Sequence, residues 1–113
     1  YIRKHFHNIP LISAHLNMVL LNYARELDII GQFQKAIEIA EEAQQVCLDS
    51  GHYLSLPGLL ALQAECYYLL ENDEKSRALY YQAYYLTKVI GDDDNSKIIR
   101  RKAKRELNLE FEP

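Results

Sequence analysis

Residues 20–51, LLNYARELDIIGQFQKAIEIAEEAQQVCLDSG, and residues 60–91, LALQAECYYLLENDEKSRALYYQAYYLTKVIG, align without a gap at an offset of 40. Leu20 falls on Leu60, Ala24 on Ala64, Ala43 on Ala83 and Gly51 on Gly91. Within each stretch apolar residues recur at the three-and-four spacing of a helical face, interrupted once, at Gly31 and at Glu71–Asp73. Each copy therefore reads as two helices and a turn. Gly51 and Gly91 stand where a helix ends in a left-handed cap, a conformation in which a side chain is strained. One helix pair cannot bury its own apolar face, so the period itself predicts a stack of pairs.

The pattern extends both ways. Upstream, Leu16, Val19, Leu20, Tyr23, Ala24 and Leu27 form one face, with Pro10 suited to a first turn and Asn8 or Ser13 able to cap it. Downstream, a third partial copy carries Val19 and Leu59 on to Ile99, Tyr23 and Gln63 to Ala103, and Leu27 and Tyr67 to Leu107. Asp92, Asp93 and Asp94 suit the positive start of that last helix. The reading predicts five alternately antiparallel helices over residues 10–30, 33–50, 54–71, 74–90 and 94–108. The expected domain is single, with repeat 1 at about 10–50, repeat 2 at about 51–90, and a C-terminal capping helix at about 94–108. Tyr1–Phe6 resembles the stub of an earlier helix, and a start at Tyr1 rather than Met leads us to expect the C-terminal fragment of a longer protein.

Composition agrees with an all-α class. Of 113 residues 49% are hydrophobic and 26% charged, and Gly and Pro number only four and three. That suffices for one core but not for two ordinary domains. A net charge of -3 supplies no basic field for nucleic acid. Two cysteines do not make a disulfide framework, and no apolar run reaches the ~20 residues of a membrane span, so a cytoplasmic protein with no membrane partner is expected.

Leu20, Tyr23, Ala24 and Leu27, then Gly31, Phe33, Ala36, Ala40 and Ala43, resemble the signature of tetratricopeptide repeats, in their longer form of about 40 residues. The second copy keeps Leu60, Ala64, Tyr67, Tyr80 and Ala83 but departs at Gln63, Glu71 and Ser76, where an apolar residue, Gly and Ala are usual. The implied fold is a tetratricopeptide-like solenoid of antiparallel helix pairs. A narrower resemblance rests on Ala64–Tyr68, on Ala83–Leu86, on the Gly91–Asp92 break and on the basic final helix ending at Phe111. Together these are similar to the C-terminal domains of bacterial Xre-type helix-turn-helix transcriptional regulators. That resemblance implies a sensor or assembly role, in some members through a short peptide held in the groove, with any DNA binding left to an N-terminal domain outside this sequence.

Candidate chemistry is sparse. His5, His7, His15 and His52 do not assemble the three or four converging ligands of a metal site, and surface histidines are the simpler reading. Cys47 and Cys66 lie in apolar helix faces and read as small core residues rather than a redox pair. No phosphate loop or catalytic grouping stands out, so neither an enzyme nor a cofactor is expected. Nine tyrosines, six of them in the pairs 67/68, 80/81 and 84/85, read mainly as packing, each pair turning one ring inward and the next outward. Six cations between Lys97 and Arg105 read as a solvated helix suited to its C-terminal half.

The first helices of successive pairs line the concave side in the resembled fold. Met18, Leu21, Asn22, Arg25 and Asp28 form one stripe there. Moving on by 40 gives Gly58, Ala61, Leu62, Glu65 and Tyr68, and by 40 again Ile98, Arg101, Lys102, Arg105 and Asn108. Asn22, Arg25, Glu65, Tyr68, Arg101 and Arg105 are therefore the candidate peptide-binding residues, with Arg25, Glu65 and Arg105 expected to stack as a charge ladder. An amide can bond a peptide backbone in both directions, and arginine can fork onto a carboxylate. The alternative is a scaffold or oligomerisation module in which Glu65 pairs with its neighbours and closes the site; an enzyme accessory domain ranks third. The apolar flank at Ile9, Leu11, Ile12 and Leu16 predicts self-association into a homo-oligomer.

Overall fold

Five α-helices separated by short turns account for most of the chain. The computed structural model describes residues 10–111, with side chains from residue 15 onward. In it α1 spans Pro10–Ile29, α2 Phe33–Ser50, α3 Leu56–Leu69, α4 Asp73–Ile90 and α5 Asp93–Leu107. The all-α class is as expected, and no strand occurs among the described residues. The largest departure is at α3. A 3-10 turn at Tyr53–Ser55 precedes it, and the α-helix itself starts at Leu56, with Pro57 in its first turn where the missing amide has no partner to lose. Because α1 begins at Pro10, Ser13 lies inside the helix and does not cap it. Asn8, His5, His7, Ile9, Tyr1–Phe6 and the side chains of Leu11 and Ile12 fall outside what is described.

Helix ends follow the repeat. Gly31, Gly51 and Gly91 adopt φ of 86°, 78° and 74°. Glu71, at the place of Gly31 one unit on, is forced into the same region with φ 63°. In both turns the amide three residues past the helix bonds back across the last turn, Gln32 N to Leu27 O and Asn72 N to Tyr67 O, each at 2.8 Å. The starts of α4 and α5 are capped by side chains: the Asn72 amide oxygen accepts from Lys75 N, and the Asp92 carboxylate from Asn95 N.

Each helix packs most extensively on its sequence neighbours, while α3 also touches α1 and α5. Short linkers between helices packed along their lengths make consecutive helices antiparallel. Thus α1, α3 and α5 form one layer and α2 and α4 the other, and the molecule is 19 Å across its thinnest axis, about two helix diameters. Ala24, Ala43, Ala64 and Ala83 are fully buried, letting the paired axes approach while Leu20, Val46, Leu59 and Tyr80 fill the space around them.

Two residues that depart from the repeat pattern are satisfied within the core. The buried Ser76 hydroxyl donates to Ala64 O at 2.7 Å, and buried Gln63 donates from Nε2 to Gln44 Oε1 at 2.9 Å, joining α3 to α2. After α5, Asn108 turns the chain through a left-handed conformation, and Leu109 and Phe111 fold back into the core that α3, α4 and α5 share. Phe111 stacks on Tyr84 with ring centroids 4.2 Å apart and meets Tyr81 edge-on at 5.3 Å. Tyr80 and Tyr84 are buried and Tyr81 and Tyr85 exposed, as the paired arrangement predicts; Tyr67 and Tyr68 are both half-buried.

Candidate functional site

The basic run on α5 is divided among several tasks. Lys102 reaches back to α3 and pairs with Glu65, Nζ to Oε1 at 2.7 Å, both groups largely withdrawn from water. Beyond Glu65, Asp28 at the end of α1 shares a hydrogen bond with the same carboxylate. One polar row thus links the three helices of the first layer. Burial, the hydrogen bond with Glu65 and the Glu65 charge push Asp28 up to about 7, so through the weakly acid range, where a carboxyl is ordinarily ionised, it retains a proton that it can donate. Burial also opposes ionisation of Glu65. That effect is outweighed by the hydrogen bonds with Asp28 and Lys102 and the charges of Lys102 and Arg105, which hold Glu65 below the usual carboxylate range.

The row differs from the expected ladder. Arg25, Glu65 and Arg105 share a repeat position, but the groups that meet are Asp28, Glu65 and Lys102, each 37 residues from the next (65 - 28 and 102 - 65). Side chains touch one turn away from their repeat equivalents, as happens when neighbouring helices are displaced and inclined rather than in exact translation. Arg105 acts on Glu65 through its charge and lies 3.8 Å from Glu106 Oε2. Arg25 and Asn22 are exposed on α1 and make no side-chain hydrogen bond or ion pair among the described residues. Glu65 and Tyr68 are half-buried, and Arg101 and Arg105 exposed.

Beside this row, the Tyr80 hydroxyl donates to Glu106 Oε1 at 2.6 Å. Burial, that hydrogen bond and the Glu106 charge raise the phenol far beyond its ordinary range, so it acts as a fixed donor. The two cysteines are fully buried and unpaired, with burial pushing Cys47 up to about 11 and Cys66 up to about 12. Neither is a ready thiolate. Among the described residues no group of three or more His, Cys, Asp or Glu side chains is placed to hold a metal ion, and no helix is long and apolar enough to cross a membrane.

A second feature lies between α5 and the tail that follows it. Arg100, Arg101, Lys104 and Arg105 face residues 109–111 of the returning tail across a cavity of about 560 Å³. At its exposed rim Lys104 Nζ lies 2.9 Å from Glu110 Oε1. Two of the six sequence candidates, Arg101 and Arg105, line this cavity. Asp28, Lys102 and Glu106 were not singled out from sequence, although Asp28 and Lys102 lay in the stripe; the 37-residue spacing of acid, acid and base was the available signal.

No family model matches this sequence, and no curated protein or solved structure is significantly similar to it.

Proposed function

We propose that the chain is a tetratricopeptide-type solenoid that binds a peptide or protein segment on the face shared by α1, α3 and α5, as the sensor or assembly part of a bacterial transcriptional regulator, without catalysis of its own. The observation that carries this reading is the condition of that face. Asn22, Arg25, Arg101 and Arg105 are exposed around a half-buried Asp28–Glu65–Lys102 row, which fixes the helices in place while leaving forked donors beside it. The 40-residue recurrence of buried alanines and left-handed turns and the pairwise packing of neighbours support the solenoid reading. A captured segment would alter how an attached domain is presented, by stabilising one arrangement of the stack over another.

The scaffold reading draws on one specific fact: Glu65 is already engaged by Lys102 and Asp28, so the middle of the face has spent its charge internally. Panning a random peptide library on the domain, followed by titration of the strongest binder against variants, separates the two. Peptide capture predicts that Asn22→Ala or Arg25→Ala weakens binding about tenfold with no change in melting temperature. A binder indifferent to Asn22, Arg25, Tyr68 and Arg105 replaced together leaves the scaffold reading standing.

A further inference from the structure

The first helix of each pair buries one face on its partner, and in α5 that face has changed its chemistry. In α1 the face holds Asn17, Leu20 and Ala24, at 4%, 2% and 0% exposure, set against α2. In α3 the matching Leu60 and Ala64 are buried against α4. Forty residues further on stand Lys97, Arg100 and Lys104, all exposed. Residues 108–111 turn back beside this face, and Leu109 and Phe111 give the cavity an apolar wall opposite the cations. The seat on which α1 and α3 hold a helix is thus open on α5, with its leucine and alanine positions converted to arginine and lysine.

We propose that this seat docks an acidic amphipathic helix of a partner protein, which completes the third helix pair in trans. Charge complementarity decides the occupant. A helix placed as α2 and α4 are would bring its inner face onto Lys97, Arg100 and Lys104, and only carboxylates there relieve the charge. Residues three and four apart on a helix lie about 5–6 Å from each other, so an acidic stripe at that spacing matches the cationic one. The chain already sets one carboxylate against this face, exposed Glu110 on Lys104. An apolar stripe flanking the acids would meet the slight exposed edges that Leu109 and Phe111, at 5% and 6% exposure, leave in the cavity wall. An oligonucleotide fits less well. The three cations span eight residues of helix, about 10 Å, and Asp93, Asp94 and Glu110 bound the stretch on either side, which denies it the extended basic track on which phosphate binding depends.

The probe is a fluorescein-labelled 18-residue helical peptide carrying a glutamate stripe beside a leucine stripe. Its isomer with the same residues scattered round the helix and a 20-nucleotide single-stranded DNA serve as comparisons. Fluorescence anisotropy with the full chain is expected to show the striped peptide binding about tenfold tighter than its isomer, weakening with added salt. Arg100→Gln with Lys104→Gln is expected to weaken it by about tenfold more, whereas Arg25→Ala leaves it unchanged, which separates this seat from the face proposed above. Should the double variant fail to fold, Glu110→Gln provides a second reading, expected to tighten binding by freeing Lys104. Equal binding of both peptides, tighter binding of the DNA, indifference to the Arg100 and Lys104 replacements, or loosening by Glu110→Gln would each overturn the proposal.

Discussion

Glu71 occupies a conformation that its repeat partner Gly31 occupies without strain, and replacing it tests whether the repeat logic extends to the backbone. The two turns are closed by the same back-bond, 2.8 Å in each, with φ of 86° at Gly31 and 63° at Glu71. For an L-residue the left-handed region costs roughly 1–2 kcal/mol. Glu71→Gly removes that strain but gives the unfolded chain more freedom, worth about 0.5–1 kcal/mol in the opposite sense. The net expectation is a gain of about 0.5–1 kcal/mol, or about 2–4 °C in melting temperature for a domain of this size. The exposed Glu71 side chain makes no hydrogen bond or ion pair among the described residues that would offset the gain. Gly31→Ala is the mirror experiment. Nothing lies within 4 Å of the added Cβ, so any loss, expected at about 1 kcal/mol, comes from the backbone alone. Thermal unfolding followed by circular dichroism reads both. If Glu71→Gly leaves the midpoint unchanged or lowers it while Gly31→Ala is neutral, left-handed strain is not what distinguishes the two positions.

Gln44→Ala strands the buried Gln63 amide and is expected to cost about 1–3 kcal/mol in urea unfolding, while Gln44→Leu with Gln63→Leu recovers most of the loss, because an apolar pair needs no partner. Asp28 holds a proton in the folded chain up to about pH 7 that the unfolded chain releases near its ordinary 3.8, so its contribution makes stability fall as pH rises through that window and level off above it. Asp28→Asn is expected to abolish that fall, being more stable than the parent at pH 8 and close to it at pH 4; equal melting temperatures at pH 8 would argue against a shared proton. The flank of α1 exposes Val19, Tyr23 and Ile30, at 48%, 42% and 67%, so sedimentation velocity is expected to show concentration-dependent association that Val19→Asp with Tyr23→Asp suppresses, and a strict monomer at millimolar concentration would refute it.

What the sequence made legible was whatever depends on local periodicity. Helix limits, the left-handed caps at Gly51 and Gly91, the burial of paired alanines and the inward turn of Tyr80 and Tyr84 all follow from residues within a few turns of each other. Gln63, Glu71 and Ser76 stood out because they broke the repeat, but their resolution required partners distant in sequence, Gln44 and Ala64, or a backbone dihedral with no side-chain signature. The polar row was hidden for a related reason. A 40-residue period states which residues are equivalent, and equivalence is not contact: neighbouring helices meet with an offset, so Glu65 finds Asp28 and Lys102 rather than Arg25 and Arg105.

The same distinction gives the repeat its use for function. Val19 and Tyr23 lie exposed where their equivalents Leu59 and Gln63 are buried against the preceding helix, so the α1 flank leaves open the positions that a preceding helix covers in α3. Arg100 and Lys104 lie exposed where Leu20, Leu60, Ala24 and Ala64 are buried against the following helix, and there the chemistry has changed as well as the exposure. An apolar equivalent left open asks only for more of the same fold, whereas a charged equivalent left open refuses it. The α1 flank is therefore the surface on which self-association is expected, and the cationic face of α5 the one on which the proposed acidic segment is to be tested.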